Sequence, residues 1–111
     1  VGLNIMEFDL RFIYQRSIIN GVRPSRDLSF AKYRNDPIFD IMWEWSKWGY
    51  GNRVGLDALA RAMGLESSKQ GIDGSRVFEF YKKGKIKEIA EYCKRDVEVT
   101  REIYKRMMFE K

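Results

Sequence analysis

Histidine is absent from this 111-residue sequence, and cysteine occurs once, at Cys93. The first absence removes the commonest general base and the commonest zinc ligand. The second leaves no thiolate cluster and no internal disulfide, which points to a reducing, cytoplasmic setting. Any metal chemistry must therefore rest on carboxylates, which suit hard ions such as magnesium or manganese. Proline appears only twice, with Pro24 marking a loop and Pro37 preceding an apolar, aromatic run. No apolar run nears the length of a membrane span, and no signal peptide is legible, so a membrane partner is not expected.

There is ample material for a core. Hydrophobic residues make up 44% and aromatics 14%, which excludes disorder by composition. The length suits one small domain, residues 1–111. A net charge of +5 and a pI near 9.4 favour polyanionic partners mildly. The chain opens on Val1 and reaches a dense motif within a few residues, the look of a fragment or processed product.

Helices dominate the expected elements. Residues 8–19, FDLRFIYQRSII, are helix-like but apolar on several sides, as in a well-buried helix. Asn20-Gly21 stops it. IFDIMWEW, residues 38–45, is either a short strand or a buried helical turn. GLDALARAMGL is a short helix closed by Gly64. Ser75 is a candidate N-cap for RVFEFYKKG. One long helix then runs from Lys85 to about Met108.

At roughly 100° per residue, this last helix predicts a buried stripe through Ile86, Ile89, Ala90, Cys93, Val97, Thr100, Ile103, Tyr104 and Met107. Asp96 falls inside that arc, with Tyr92 one turn earlier. A buried unpaired carboxylate costs several kcal/mol, so it must neutralise, pair with a base or bind a cation. Asp9, which shares a helical face with Phe12 and Ile13, poses the same question. A first-turn carboxylate favoured by the helix dipole is the plainer account of it. Taken together, two inward carboxylates on separate helices suggest one shared cation site.

The stretch from Asn4 to Asp9, NIMEFD, resembles the second motif of the DEDD superfamily of 3′–5′ exonucleases. YCKRD, residues 92–96, is similar to the third motif, Tyr-x-x-x-Asp, of its tyrosine variant. The sequence between them resembles proofreading exonucleases related to family B DNA polymerases. The likeness covers nearly the whole chain in the right order. It implies the C-terminal portion of a ribonuclease H-like α/β fold, with a two-ion magnesium or manganese site. It also implies single-stranded nucleic acid as substrate, DNA favoured over RNA. In the family's pattern Asp9 and Asp96 are metal ligands, Tyr92 orients the attacking water and Asn4 lies near the substrate terminus. Phe8, Trp48 and Arg53 complete the candidate substrate contacts; Trp48 and Tyr50 sit beside basic residues as base-stacking aromatics do. Trp43 and Trp45 suit core packing better. Asp40 and Asp73 are candidate supports, with strand-start and loop roles equally open. Lys82, Lys83, Lys85 and Lys87 form a basic run suited to a solvated helix end or to phosphates.

The family's first motif, Asp-x-Glu on a strand, has no counterpart. The only Asp-x-Glu is Asp96-Val97-Glu98, whose acids diverge by about 200° on a helix, so Glu98 should face solvent. The expectation is thus a mostly α-helical chain of about four helices, with at most one short strand. It would be an incomplete exonuclease domain lacking its N-terminal β-strands, with little or no activity alone and an apolar face left exposed or covered by self-association. Two rivals remain: a non-catalytic exonuclease-like module binding nucleic acid or protein, and a plain helical domain whose Asp9 and Asp96 each meet an arginine.

Overall fold

The computed structural model describes residues 1–49, 53–66 and 74–110. Tyr50 and Asp73, both singled out above, lie outside the described residues. Five α-helices follow one another among the described residues: α1 (Asp9–Asn20), α2 (Ile41–Ser46), α3 (Leu56–Ala62), α4 (Val77–Lys82) and α5 (Ile86–Met107), with a 3-10 turn at Gly74–Arg76. Among the described residues the strand-like pairing is one isolated parallel bridge, Gly2 with Asp40. The chain packs as two compact units, residues 1–53 and 54–111.

The first unit is organised around the bridge. The Gly2 N–H donates to the Phe39 carbonyl (3.1 Å), and the Ile41 N–H donates to the Gly2 carbonyl (2.8 Å). Met6, Phe39, Ile41 and Met42 close over it as the buried apolar cluster. The IFDIMWEW segment resolves as a helical turn. Asp40 takes the N-cap position in extended backbone, and its side chain accepts from the Met42 N–H. That capping bond satisfies a donor that a strand would have paired elsewhere, and it overrides the β preference of Ile41 and Trp43. The turn ends in two left-handed residues, Lys47 (φ 51°) and Trp48 (φ 64°).

α1 ends as its Asn-Gly signal predicts. Gly21 is left-handed (φ 63°); its N–H donates to Ile18 and that of Val22 to Ser17, which satisfies two terminal carbonyls. Its expected burial does not occur: no residue of α1 is buried. Phe12 is 60% exposed and Ile19 70%. A helix apolar on several sides says that it wants cover, not that the described residues supply it.

In the second unit α5 packs on α3 and α4. Leu59 and Ala60 of α3 and Ile103 of α5 are fully buried, and the Arg106 Nη1 donates to the Met63 carbonyl (3.3 Å). The covered face of α5 is rotated from the predicted stripe. Ile86, Ala90, Cys93 and Val97 are exposed, whereas Ile89, Tyr92, Asp96, Val99, Thr100 and Met107 are half-buried and Ile103 is buried. Counting apolar residues weights Val97 and Cys93; the positions of α3 and α4 decide which arc is covered. Ser75 is likewise displaced from its expected role. It lies within the 3-10 turn, and Arg76 holds the cap position of α4.

Candidate functional site

The second-motif stretch is held from below by Asp40, a fully buried carboxylate. One of its oxygens accepts from the Asn4 N–H (2.8 Å) and from the Met42 N–H (3.1 Å); the other accepts from the Met6 N–H (3.0 Å). Three backbone donors thus converge on one side chain and tie the Asn4–Met6 turn to the start of α2. Asn4 adopts the left-handed conformation (φ 57°), which asparagine tolerates better than most residues. Its side-chain Oδ1 is buried without a hydrogen-bond donor. Sequence reasoning named Asp40 only as a support. Yet a carboxylate among Phe39, Ile41 and Met42 carries the same signal that singled out Asp96.

From this turn the chain enters α1 through Phe8, an exposed side chain at the cap position, and Asp9, the first helical residue. Asp9 is exposed. Its place in the first turn is the one the helix dipole favours for an anion. Among the described residues it meets no arginine or lysine within ion-pair distance.

In the second unit, Tyr92 and Asp96 lie one turn apart on the covered face of α5, both half-buried, while Glu98 is exposed. Asp96 also meets no cationic side chain among the described residues, and its main-chain carbonyl accepts the Thr100 hydroxyl (2.7 Å). The Tyr92 hydroxyl stands against the 3-10 turn, 4.0 Å from where a Cβ on Gly74 would sit. The salt-bridged helical domain required an arginine beside each aspartate, and neither has one among the described residues.

The other candidate contacts already have intramolecular uses. Trp48 stacks on Trp43 with ring centroids 5.6 Å apart and planes 14° apart, and Tyr33 tilts against it at the same distance. Arg53 meets Glu7 at 3.3 Å. Trp45, expected in the core, is half exposed. In the basic run, Lys83 pairs with Glu79, Lys82 lies over Phe78 (4.5 Å) and Lys85 over Phe80 (5.1 Å). These cation–π contacts give the run a solvated helix-end role that needs no phosphate.

The donor chemistry suits a hard divalent ion: Asp9 and Asp96 are carboxylates that no cation among the described residues neutralises. Among the described residues no cluster of three or more acids, cysteines or histidines forms a ready metal cage. Nor is any helix among them long and apolar enough to cross a membrane.

No curated protein and no solved structure matches the chain. The model of one family, described as predicted 3′–5′ exonuclease related to the exonuclease domain of PolB, matches residues 1–111. The Asn4–Asp9 and Tyr92–Asp96 motifs thus sit, in order, inside a match that runs from the first residue to the last. The chain belongs to this family of PolB-related 3′–5′ exonucleases.

Proposed function

We propose that the chain contributes half of a divalent-metal site in a 3′–5′ exonuclease that shortens single-stranded nucleic acid, DNA in preference to RNA. The observation that carries it is the pair of motif aspartates, Asp9 and Asp96, each left without a cationic partner among the described residues inside a full-length family match. When bound, a pair of magnesium or manganese ions supplies an activated water and stabilises the leaving 3′ oxygen. Asp9 and Asp96 hold those ions, and the Tyr92 hydroxyl orients the attacking water. Asn4 and Phe8 receive the strand terminus. The two further acids have no counterpart in the sequence, since the only Asp-x-Glu places an exposed Glu98 beside a half-buried Asp96. The 111 residues alone therefore hydrolyse little, because ligand number sets affinity for a hard ion.

The test is nucleotide release from an end-labelled single-stranded oligonucleotide with manganese present. The chain alone should release no more than its Asp96→Asn variant. Extended with upstream coding sequence that carries Asp-x-Glu, it should turn over, and Asp9→Asn or Asp96→Asn should each cost about a thousandfold. Full activity in both variants of the extended protein would remove the exonuclease reading. A second reading has one observation behind it, the lack of a three-acid cluster among the described residues. It is a non-catalytic exonuclease-like module, and it predicts tight strand binding with no release under any of these conditions.

A further inference from the structure

The first unit carries an open cleft of about 770 Å³ between α1 and the loop that follows it. Leu10, Arg11 and Tyr14 line it from the helix, and Arg23, Arg26 and Phe30 from the loop. That volume lies within the range of about 300–1,000 Å³ usual for ligand sites. The cleft gathers three arginines into one wall. Outside it Arg53, Arg61, Arg76 and Arg101 each meet an acid, whereas Arg16, Arg34, Arg95 and Arg106 meet none among the described residues and line no part of it. Arg11, Arg23 and Arg26 meet none among the described residues. The one acid in the lining, Asp27, is turned onto its own loop. One of its oxygens accepts the Ser29 N–H (2.9 Å) and the other the Ser29 hydroxyl (3.0 Å). The backbone N–H of Ser29, then its hydroxyl, holds that carboxyl below its ordinary range, so it stays ionised, and the lining carries three guanidinium charges against one carboxylate.

Three unneutralised guanidinium groups beside Tyr14, which is 55% exposed, and Phe30 make a surface for an anion with planar rings. Guanidinium groups take phosphates in forked pairs, and aromatic rings stack on unpaired bases. An acidic peptide would use the charges and leave the rings idle. Around α1, Arg11 and Tyr14 lie about 200° and 140° from Asp9, so the cleft opens on a different flank from the motif aspartate. We propose that this cleft is a metal-independent binding site for the phosphodiester backbone of a single-stranded nucleic acid, gripping a strand away from its reacting end. The assignment rests on the exonuclease reading for the identity of its ligand.

The experiment is fluorescence anisotropy of a short labelled oligothymidylate in EDTA, with the 111-residue chain, across a salt series. Replacing Arg11, Arg23 and Arg26 together by alanine should weaken binding about 10–100-fold and flatten the salt slope by about 2, since each phosphate contact on a single strand contributes about 0.7. Tyr14→Ala should weaken it at least about fivefold. The control, Arg61→Ala with Arg76→Ala and Arg101→Ala, should bind as the parent does. Replacing the three cleft arginines by lysine should restore the salt slope. The single Arg23→Glu variant, in an exposed loop, reports on charge if the triple variant loses its circular dichroism. Strand binding by the 111-residue chain in EDTA upholds the cleft whatever the extended protein hydrolyses, while the enzymatic reading falls separately, if both aspartate variants of the extended protein keep full activity. Unchanged affinity in both Arg23→Glu and the triple variant would overturn the assignment. So would an equal loss in the control, or competition by polyglutamate as strong as by unlabelled oligonucleotide.

Discussion

Asp40 is the residue on which the first unit turns. Its carboxylate is fully buried and accepts three backbone N–H groups, so removing it would strand all three in an apolar setting. Each unsatisfied buried donor costs about 1–3 kcal/mol, and Asp40→Ala should cost the first unit about 3 kcal/mol or more. Asp40→Asn keeps one acceptor oxygen and should cost less. Urea denaturation read by tryptophan emission checks the order. An alanine variant as stable as the parent would mean that the turn holds without its anchor. This residue was half legible in the sequence. Its position before an apolar turn, and hence its capping of Met42, was visible, but two of its three donors come from residues 34 and 36 positions earlier, a pairing that no local pattern announces. Asn4 differs in this respect: its left-handed backbone suits its residue type, whereas the same conformation at Lys47 and Trp48 has no such signal.

Among the elements, α5 was the most legible: a helix predicted over Lys85–Met108 is observed over Ile86–Met107. Its ends follow from amphipathic spacing that needs no partner. Its buried arc does need partners, which is why the predicted stripe misplaces Cys93 and Val97 and underrates Val99. The short helices α3 and α4 both pack on α5, and the fully buried residues are Leu59 and Ala60 of α3 and Ile103 of α5. Leu59→Ala or Ile103→Ala should each destabilise the second unit by about 2–5 kcal/mol, as cavities at well-packed sites do, measured by circular dichroism at 222 nm, the usual helical signal. In α1 the opposite holds. Phe12 and Ile19 project into solvent, so Phe12→Asp with Ile19→Asp should leave stability within about 0.5 kcal/mol and reduce binding of an apolar dye. Loss of folding in that variant would show that the flank is covered after all.

At the scale of the whole molecule, acid is the informative perturbant. The bond from the Lys47 ammonium to Glu44 holds that carboxyl below its ordinary range. Desolvation opposes the shift, and the Asn35 amide (2.6 Å) adds to it. A carboxyl whose folded pKa is depressed contributes stability that is complete above its unfolded pKa, about 4.3, and lost as pH falls through the folded value. The first unit should therefore loosen as pH drops below about 4.3, and Glu44→Gln should blunt that dependence. An identical acid profile in Glu44→Gln would remove Glu44 from the account. Of the candidate site, the motif aspartates were legible from order and spacing, whereas the arginine cleft was not. Its walls come from a helix and from an irregular loop whose course no periodicity encodes.

The two-unit architecture has an optical consequence. Trp43, Trp45 and Trp48 are the chain's three indoles, and all belong to the first unit. Emission excited selectively at tryptophan therefore reports on residues 1–53, while helical dichroism is weighted toward the 22 residues of α5. Superimposable melting curves from the two signals would mean that both halves unfold in one cooperative step; separated curves would resolve two.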